Sequence, residues 1–484
     1  MKQKSNTKVN LIYNMIYQVL ILILPLITTP YISRVVGVEG VGIYSYYYSI
    51  ALYFSYFAML GISNFGNRKI AKNRDDNEKR NKVFSSVYAL QLISSSIILV
   101  LYLLFSLLII NENEIIAIVM IFYVGASVFD VSWVFFGLEE FKITSLRQII
   151  IRILTLIFIF GLVKNKSDLT LYSLIMALGN FISALSLWII VWKRVKWRKI
   201  SFSDIKENIR PCIILFIPII ATSIYRQMDK IMLGNIINMS EVGFYENAEK
   251  LISISLGVIS SFSAVIMPKI SNLISKEQIN EVKKLFINSM EFAMCIGMAI
   301  AFGIVSIVDE FIPIFFGDEF LPSIRLSKFL TITVPFISWA NIVRVLYLIP
   351  REKDRIYVHS IIIGAILNTV VNAIFIPFLG AMGAVIGTIV AEASVACYQT
   401  YKIRKELNLA IYLKKGLIFF FFGLIMLVTI NMIKRNLCMN VKSLILEILA
   451  GGSLYCVMVI GYFISSKNEI LYNVIKKLKD NSRT

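Results

Sequence analysis

Fourteen runs of mostly apolar residues, each about 16 to 26 residues long, follow one another along this 484-residue chain. A helix of that length crosses the hydrocarbon layer of a bilayer, which is about 30 Å thick. Composition agrees, because 57% of the residues are hydrophobic and only 16% are charged, too few to build a water-facing surface. The sequence therefore predicts an all-α, polytopic membrane protein with about 14 transmembrane helices. The predicted spans are 9–33, 41–63, 85–110, 115–137, 148–163, 169–192, 211–233, 243–266, 286–308, 329–349, 357–378, 383–401, 416–433 and 443–465.

The basic residues between these runs indicate how the chain is oriented. Of the 49 Lys and Arg, 36 lie in the N-terminal segment and every second loop after it, 8 lie in the other loops and 5 lie within spans. Because cytoplasmic loops are enriched in Lys and Arg, both termini are predicted to be cytoplasmic. The same topology signal accounts for the net charge of +19, so no nucleic-acid partner is predicted.

Two short segments indicate an internal repeat. Residues 41–44 (VGIY) open the second span, and residues 242–245 (VGFY) open the eighth, six helices later. An even number of helices restores the orientation, so the first twelve spans are interpreted as two parallel six-helix lobes, an architecture of transporters. The predicted domains are a lobe at 1–200, a second lobe at 201–405, and two extra transmembrane helices with a basic cytoplasmic tail at 406–484.

The first helix of each predicted lobe contains internal proline, namely Pro25 and Pro30 in one lobe and Pro218 in the other. Proline removes a helix hydrogen-bond donor and kinks the helix. Interrupted helices at corresponding positions of two halves mark substrate sites in transporters. The alternative is a bend without function, because membrane helices tolerate proline.

Several motifs resemble those of one known family. The stretch PYISRVVG at 30–37, followed by EGVGIY at 39–44 and GISNFGNRKIA at 61–71, resembles the N-terminal signature of the polysaccharide transporter family. Later segments resemble the same family, so the resemblance covers nearly the whole chain: FGLEEF at 136–141, DKIMLG at 229–234, FGDEF at 316–320 and GAMGA at 380–384. Members of this family are flippases for lipid-linked O-antigen or capsule repeat units, within the multidrug/oligosaccharidyl-lipid/polysaccharide exporter superfamily.

The resemblance implies two helical lobes that open alternately to the two sides of a bacterial cytoplasmic membrane. The implied cargo is an undecaprenyl-pyrophosphate-linked oligosaccharide, carried from the cytoplasmic to the external leaflet. The implied partners are this lipid-linked oligosaccharide, membrane lipid, a polysaccharide polymerase and assembly proteins.

Other functions stay open as alternatives. A lipid II-type flippase and a cation-coupled multidrug antiporter belong to the same superfamily. An enzyme such as a polymerase is disfavoured, because all loops are short and leave no room for a soluble catalytic domain. Five scattered cysteines and one histidine, His359, show no metal-ligand spacing, so no cofactor or metal is predicted.

Charged residues within spans are the candidates for a substrate site, because a charge at mid-bilayer costs about 2.5–3.5 kcal/mol on insertion scales. Arginine offers a pyrophosphate a planar fork of donors, and lysine offers a point charge. Two asparagines one helical turn apart suit either a sugar path or hydrogen bonds between helices. The candidate substrate-binding residues are Arg34, Arg152, Arg226, Lys230, Arg344, Asn368 and Asn372.

Acidic residues within spans are candidates for coupling transport to H⁺ or Na⁺. A buried carboxyl without a neighbouring cation is able to exchange protons near neutrality. The alternative is that such an acid forms a structural ion pair with a cation on another helix, or with one three to four residues away on its own helix, as Arg226 and Asp229 could. For Glu246 and Lys250, the structural pair is favoured over a functional role. The candidate ion-coupling residues are Asp130, Asp229, Glu291 and Glu392.

Overall fold

The computed structural model describes residues 7–407, 409–435 and 437–465. Nearly all of these residues are in helices, and none of them is in a β-strand, which confirms the predicted all-α class. Helix packing divides the chain into two compact units, Met1–Gly243 and Phe244–Thr484. The lobe boundaries at residues 200 and 405 stay a prediction from the sequence.

The helices of the N-terminal unit are α1 (Thr7–Met59), α2 (Ile62–Lys72), α3 (Asn77–Leu108), α4 (Glu114–Val119), α5 (Ile121–Phe129), α6 (Ser132–Gly137), α7 (Phe141–Leu162), α8 (Leu169–Ser186), α9 (Trp188–Val191) and α10 (Phe202–Ile236). The unit boundary falls inside α11 (Met239–Ser275). The C-terminal unit continues with α12 (Ile279–Phe315), α13 (Pro322–Leu330), α14 (Thr333–Val343), α15 (Asp354–Leu379), α16 (Ala381–Ile403), α17 (Leu409–Lys434) and α18 (Val441–Ser465).

Twelve stretches of the described chain are helical, long and apolar enough to cross a membrane, and they coincide with the last twelve predicted spans. The first two predicted spans both fall on α1, which is broken at Gly37 (φ 73°, ψ −178°). This conformation is nearly exclusive to glycine. The helix continues through Pro25 and Pro30, so α1 is interrupted at the glycine and not at the predicted prolines. The total of fourteen spans is therefore approximate.

Ion pairs join loops at one end of the N-terminal unit. Arg74 lies 2.7 Å from Glu139, between the segments that precede α3 and α7. Lys82 lies 2.8 Å from Asp204, the acid that closes a capping box with Ser201 at the start of α10. These contacts gather three loops that the sequence places on the same side of the membrane.

Two tyrosines of α1 form hydrogen bonds with segments that follow α3 and α7. The Tyr31 hydroxyl donates to the carbonyl of Val163 at 2.6 Å, and the Tyr47 hydroxyl donates to the carbonyl of Glu112. Glu112 lies in a loop predicted for the opposite side of the membrane, and Val163 directly follows α7 at the same side. The contacts thus follow the predicted alternation of loops, and which side faces the cytoplasm stays a prediction.

In the C-terminal unit, α17 and α18 pack along α12 and are held by ion pairs. Lys415 of α17 lies 2.6 Å from Glu291 of α12. Nineteen residues further along both helices, Lys434 lies 3.9 Å from Glu310 of α12 and 3.5 Å from Glu447 of α18. Of the two extra helices predicted from the sequence, α17 is therefore paired with α12 at two levels, and α18 is paired with α17 at the second of them.

Each unit has its own apolar core. In the N-terminal unit a cluster of buried side chains gathers α2, α3, α6, α9 and α10; it includes Phe84, Trp133, Phe135, Leu187 and Cys212. In the C-terminal unit the buried cluster surrounds α12 and includes Phe286, Met290, Trp339, Phe419 and Tyr455.

Candidate functional site

A cavity of about 300 Å³, which we call the polar cavity, lies within the N-terminal unit among α1, α2, α5 to α8 and α10. Polar groups in an apolar helical bundle are costly unless they find partners or water. A polar cavity at this place therefore indicates a site for a hydrophilic ligand. Its polar lining includes Tyr56, Tyr123, Asp130, Arg147, Gln148 and Asn180.

Two tyrosines of the lining connect the polar cavity to two of the predicted arginines. The hydroxyls of Tyr123 and Tyr48 are 3.2 Å apart, and the two rings meet edge to face with centroids 5.1 Å apart. The Arg152 guanidinium interacts electrostatically with Tyr123, and the Arg226 guanidinium interacts with Tyr56. Neither Arg152 nor Arg226 lines the polar cavity itself, but each lies within electrostatic range of one of its tyrosines.

Two interruptions of regular helix lie at the wall of the polar cavity. Between α1 and α2, Leu60 and Gly61 have φ values of 47° and 74°. Between α5 and α6, Asp130 adopts an extended conformation (φ −75°, ψ 94°). In membrane proteins such non-helical backbone is tolerated where it is buried in protein or lines a water-filled cavity. The predicted span 115–137 is therefore a broken helix, which its apolar sequence did not indicate.

Polar side chains of α3 satisfy the backbone groups that these interruptions leave without helix partners. Gln91, which is fully buried, donates to the carbonyls of Ser127 at 2.7 Å and of Asp130 at 3.0 Å. The Ser94 hydroxyl donates to the carbonyl of Ala58 at 2.7 Å. Sequence reasoning missed Gln91, although a glutamine inside an apolar run was a signal that could have found it.

Asp130, one of the predicted ion-coupling residues, is held at the cavity wall by its own backbone surroundings. One carboxylate oxygen accepts the backbone N–H of Ser132, the first residue of α6, at 2.9 Å. This contact fixes the direction of the carboxyl group while it lines the polar cavity. Asp130 is thus placed where it can meet a proton, a cation or a hydroxyl of a ligand.

The predicted charged stripe of α10 divides between two environments. Asp229 and Lys230 are buried, with 1% and 7% exposure, whereas Arg226 is exposed. The Tyr53 hydroxyl, which donates to the carbonyl of Ser223 at 3.1 Å, interacts electrostatically with Asp229. Arg226 and Lys230 lie four residues apart on α10, and of the two only Arg226 has an exposed side chain.

Arg34 does not line the polar cavity. It lies in α1, three residues before the break at Gly37, and is exposed. Like Arg152 and Arg226, it is absent from the lining of the cavity.

In the C-terminal unit, Arg344 follows α14 and opens a π-helical turn over Arg344–Leu348. Its guanidinium donates to the Tyr357 hydroxyl at 3.3 Å and lies 5.5 Å from the centre of that ring. π-Helical turns occur frequently at functional sites. Arg344 is thus held on the α15 tyrosine.

Asn368 and Asn372 of α15 are fully buried and interact with each other, Nδ2 of Asn372 lying 3.3 Å from Oδ1 of Asn368. Their neighbour on α16 is Gly387, where a Cβ atom would stand only 2.0 Å from Oδ1 of Asn372. This close packing favours the helix-to-helix alternative for the pair over a sugar path.

The remaining predicted acids of this unit differ in their surroundings. Glu291 is 3% exposed and forms the ion pair with Lys415 described above, which favours its structural alternative. Glu392 is half-buried in α16. The local pair of Glu246 and Lys250 is present at 3.1 Å, as predicted. Within the part of the chain that the structure describes, no group of three or more His, Cys, Asp or Glu could hold a metal ion.

Known solved structures share this fold. A lipid II flippase, MurJ, in an inward closed conformation superposes with a TM-score of 0.70 at 14% identity, covering 92% of this chain and 99% of its own. An inward-facing transporter of the multidrug resistance MATE family superposes with a TM-score of 0.58 at 12% identity, covering 86% of this chain and 98% of its own. These similarities show the fold class: an all-α transporter fold.

Proteins with similar sequences narrow the assignment from a fold class to a family. The chain is 24% identical over 384 residues to a putative O-antigen transporter of Shigella dysenteriae, covering 78% of this chain and 96% of the relative. It is 26% identical over 172 residues to a probable low-salt glycan biosynthesis flippase of Haloferax volcanii, covering 35% of this chain and 36% of the relative. The profile of the polysaccharide biosynthesis protein family matches residues 8–274, more than half of the chain. This multi-pass membrane protein therefore belongs to the polysaccharide biosynthesis protein family.

Proposed function

We propose that this protein is a flippase for surface polysaccharide biosynthesis. It carries an undecaprenyl-pyrophosphate-linked oligosaccharide repeat unit from the cytoplasmic to the external leaflet of a bacterial cytoplasmic membrane. The family, the relatives named as an O-antigen transporter and a glycan flippase, and the fold shared with a lipid II flippase support this function. Both termini are cytoplasmic in this proposal, as the distribution of Lys and Arg predicts.

The observation that carries the proposal is the polar cavity, whose lining includes Tyr56, Tyr123 and Arg147. Arg152 and Arg226 lie within electrostatic range of these tyrosines. A sugar offers hydroxyl groups and apolar ring faces, which hydrogen-bond to and pack on tyrosine side chains. A pyrophosphate is a dense anion, which guanidinium groups bind through paired hydrogen bonds. Transport breaks no covalent bond, so the site needs binding and release and no catalytic residue.

An apolar cavity in the C-terminal unit supports a lipid cargo. It has a volume of about 520 Å³ and lies among α12, α17 and α18, between the two levels of ion pairs. Its walls include Ile296, Met426, Ile448 and Val459. The lining also includes Glu447 and the aromatic side chains Phe292, Tyr455 and Phe463, but most of the cavity surface is apolar, which suits a polyprenyl chain.

Asp130 is the residue we propose for coupling transport to H⁺ or Na⁺. It lies at the same cavity as the proposed cargo site, so that its charge state and the presence of cargo affect each other electrostatically. A polysaccharide polymerase and assembly proteins, which act on the exported unit, are the proposed partners.

Deletion of the gene in its host, followed by complementation, tests the function. The deletion strain should accumulate lipid-linked repeat units that an impermeant glycosidase cannot reach in intact cells, and the wild-type gene should restore access to them. Unchanged polysaccharide export in the deletion strain would contradict the proposal. If the deletion strain became sensitive to cationic drugs and did not accumulate repeat units, the multidrug antiporter would be favoured. If it lost peptidoglycan synthesis, the lipid II-type flippase would be favoured.

Cysteine labelling tests the orientation. In a variant whose five native cysteines are replaced by serine, a cysteine at Asn113 should react with an impermeant thiol reagent added outside. A cysteine at Asp75, whose side chain is 93% exposed, should react only after the membrane is opened. The opposite result would reverse the proposed topology.

A further inference from the structure

A second, larger cavity lies at the end of the N-terminal unit where α2, α3 and α10 meet. It has a volume of about 920 Å³ and shares no lining residue with the polar cavity. We call it the basic groove, because its lining has two acidic residues, Asp204 and Glu207, and six basic ones: Arg68, Lys69, Lys72, Lys79, Lys82 and Arg210. The formal excess of positive charge is four.

Three of these six cations have a polar or acidic partner, and the other three have no acidic partner among the described residues. Lys82 pairs with Asp204 at 2.8 Å, and Lys79 pairs with Asp76 at 3.3 Å. Lys69 donates to the Asn208 side chain at 3.2 Å. For the other three, Arg68, Lys72 and Arg210, the described residues provide no acidic partner.

Three arginines at the same end of the unit have acidic partners, whereas the exposed lysines Lys193, Lys199 and Lys206 have none among the described residues. Arg74 pairs with Glu139 at 2.7 Å, and Arg194 pairs with Glu140 at 2.8 Å. Arg198 pairs with Glu78 at 2.5 Å. A topology signal alone requires only that cations lie on this side. It does not account for three unpaired cations collected in one cavity, where their mutual repulsion is unfavourable without an anion.

Apolar side chains line the basic groove beside the cations and continue onto the outer surface of the bundle. Phe65, Val83 and Leu215 line it, together with Ile214, which is 58% exposed. One turn after Arg210, α10 thus presents apolar side chains at the surface of the bundle, where a membrane protein contacts lipid. A groove that combines cations with exposed apolar side chains fits an anionic headgroup whose lipid chain stays in the membrane.

We propose that the basic groove binds the diphosphate of a lipid-linked substrate before it moves to the polar cavity. The proposal deepens the proposed function and rests on it. A diphosphate carries more charge than the single phosphodiester of a common phospholipid, and it matches a groove with four excess positive charges. Two arginines, Arg68 and Arg210, offer it bidentate hydrogen bonds, and Lys72 adds a point charge.

Binding to the full-length protein in nanodiscs tests the proposal, with undecaprenyl diphosphate as the probe. The variant R68Q/K72Q/R210Q should bind this probe at least about tenfold more weakly, because it loses three contacts to a charged group. The matched control is K193Q/K199Q/K206Q, which removes three exposed cations outside the groove and should stay within about twofold of the wild type. If both triple variants bound the probe equally weakly, or if neither bound it more weakly than the wild type, the proposed role of the basic groove would be wrong.

A second probe and a second readout separate the possible outcomes. If phosphatidylglycerol loses affinity for the groove variant as strongly as undecaprenyl diphosphate does, the groove is a general anionic-lipid site and the assignment to a diphosphate is wrong. In the deletion strain, the groove variant should restore export more slowly than the control variant. If even the wild-type gene fails to restore export, the proposed function itself fails, which is a different result from loss of binding in the variant.

Discussion

The buried carboxylate of Glu447 lies 3.5 Å from the ammonium group of Lys434, and that same ammonium group is 3.9 Å from the carboxylate of Glu310. Glu447 is fully buried, and Glu310 is 3% exposed. One cation thus serves two acids contributed by α12 and α18. Removal of one member of a buried ion pair leaves an unpaired charge, which costs about 3–5 kcal/mol, whereas removal of all charges together is far milder.

Lys434→Met should therefore destabilise the docking of α17 and α18 on α12, by an amount within that range of about 3–5 kcal/mol. Thermal unfolding in detergent measures the effect. Lys442→Met is the matched control, because Lys442 is exposed in α18 and should tolerate the change. The triple variant Glu310→Gln/Lys434→Met/Glu447→Gln should recover much of the loss. If Lys434→Met is as stable as Lys442→Met, the shared cation does not contribute to the packing.

Gly387→Ala should disrupt the contact between α15 and α16. A Cβ atom at this position would stand 2.0 Å from Oδ1 of Asn372, which forces one helix or the asparagine to move. Such overpacking typically costs about 1–3 kcal/mol. The control is Gly461→Ala, where a Cβ atom meets nothing within 4 Å. Thermal unfolding of the two variants in the same detergent gives the comparison.

Removing the asparagine tests the cause of this effect. The double variant Asn372→Ala/Gly387→Ala should lose less stability than the sum of the losses of the two single variants, because the atom that the new Cβ would clash with is removed together with the amide. Additive losses would contradict the contact. If Asn372→Ala alone abolishes export while stability is kept, the sugar-path interpretation of Asn368 and Asn372 regains support.

The features that the sequence could predict depend on the spacing of residues within one helix and on the length of the apolar runs. The apolar runs gave the last twelve spans, because span length depends only on bilayer thickness. The pair of Glu246 and Lys250 followed from a spacing of four residues on one helix. The partner of Glu291, in contrast, is Lys415, 124 residues away, and no local pattern indicates which helix will lie opposite. Pairings of that kind depend on the tertiary arrangement.

Backbone breaks were the other feature beyond reach of the sequence. The prolines at 25 and 30 suggested an interruption of the first helix, but the left-handed φ occurs at Gly37, one glycine among 24. The break at Asp130 lies in an apolar run with no glycine or proline beside it. It is supported by Gln91 from α3, so its stability derives from a different helix. The polar cavity could not be predicted for the same reason.

Glu406 makes one contact between loops depend on pH. The ammonium group of Lys353, 2.5 Å away, and the Tyr347 hydroxyl lower the pKa of this carboxyl from its ordinary value of 4.5. Because the pKa in the folded state is lower than in the unfolded state, the charged contact stabilises the fold above about pH 4.5. That stabilisation is lost as the pH falls through the folded-state pKa.

Glu406→Gln should therefore lower stability at pH 7 and make the difference from the wild type shrink as the medium is acidified to pH 4 and below. Thermal unfolding across this pH series measures it. Glu352→Gln, an exposed change in the loop that also contains Lys353, is the control and should show no such convergence. A difference that grows on acidification would contradict the assigned sign.

Arg226 is the residue whose replacement best separates cargo binding from structural pairing. If its guanidinium binds pyrophosphate beside Tyr56, Arg226→Ala should abolish surface polysaccharide while the protein still inserts and accumulates normally. Arg226→Lys keeps the charge and loses the bidentate fork, so it should retain at most partial activity. Immunoblotting of membranes and a surface polysaccharide assay give the two readouts.

The alternative is that Arg226 neutralises Asp229, which is only 1% exposed. In that case, Arg226→Ala leaves a buried charge without compensation, and the loss should include protein abundance or stability. Arg226→Ala/Asp229→Ala would then be milder than Arg226→Ala, because no uncompensated charge stays in a low-dielectric site. An anion-binding arginine gives the opposite pattern, since the double variant still lacks the group that holds the pyrophosphate. Near-normal export in the double variant would therefore exclude the anion-binding role of Arg226 and leave the structural pair as the explanation.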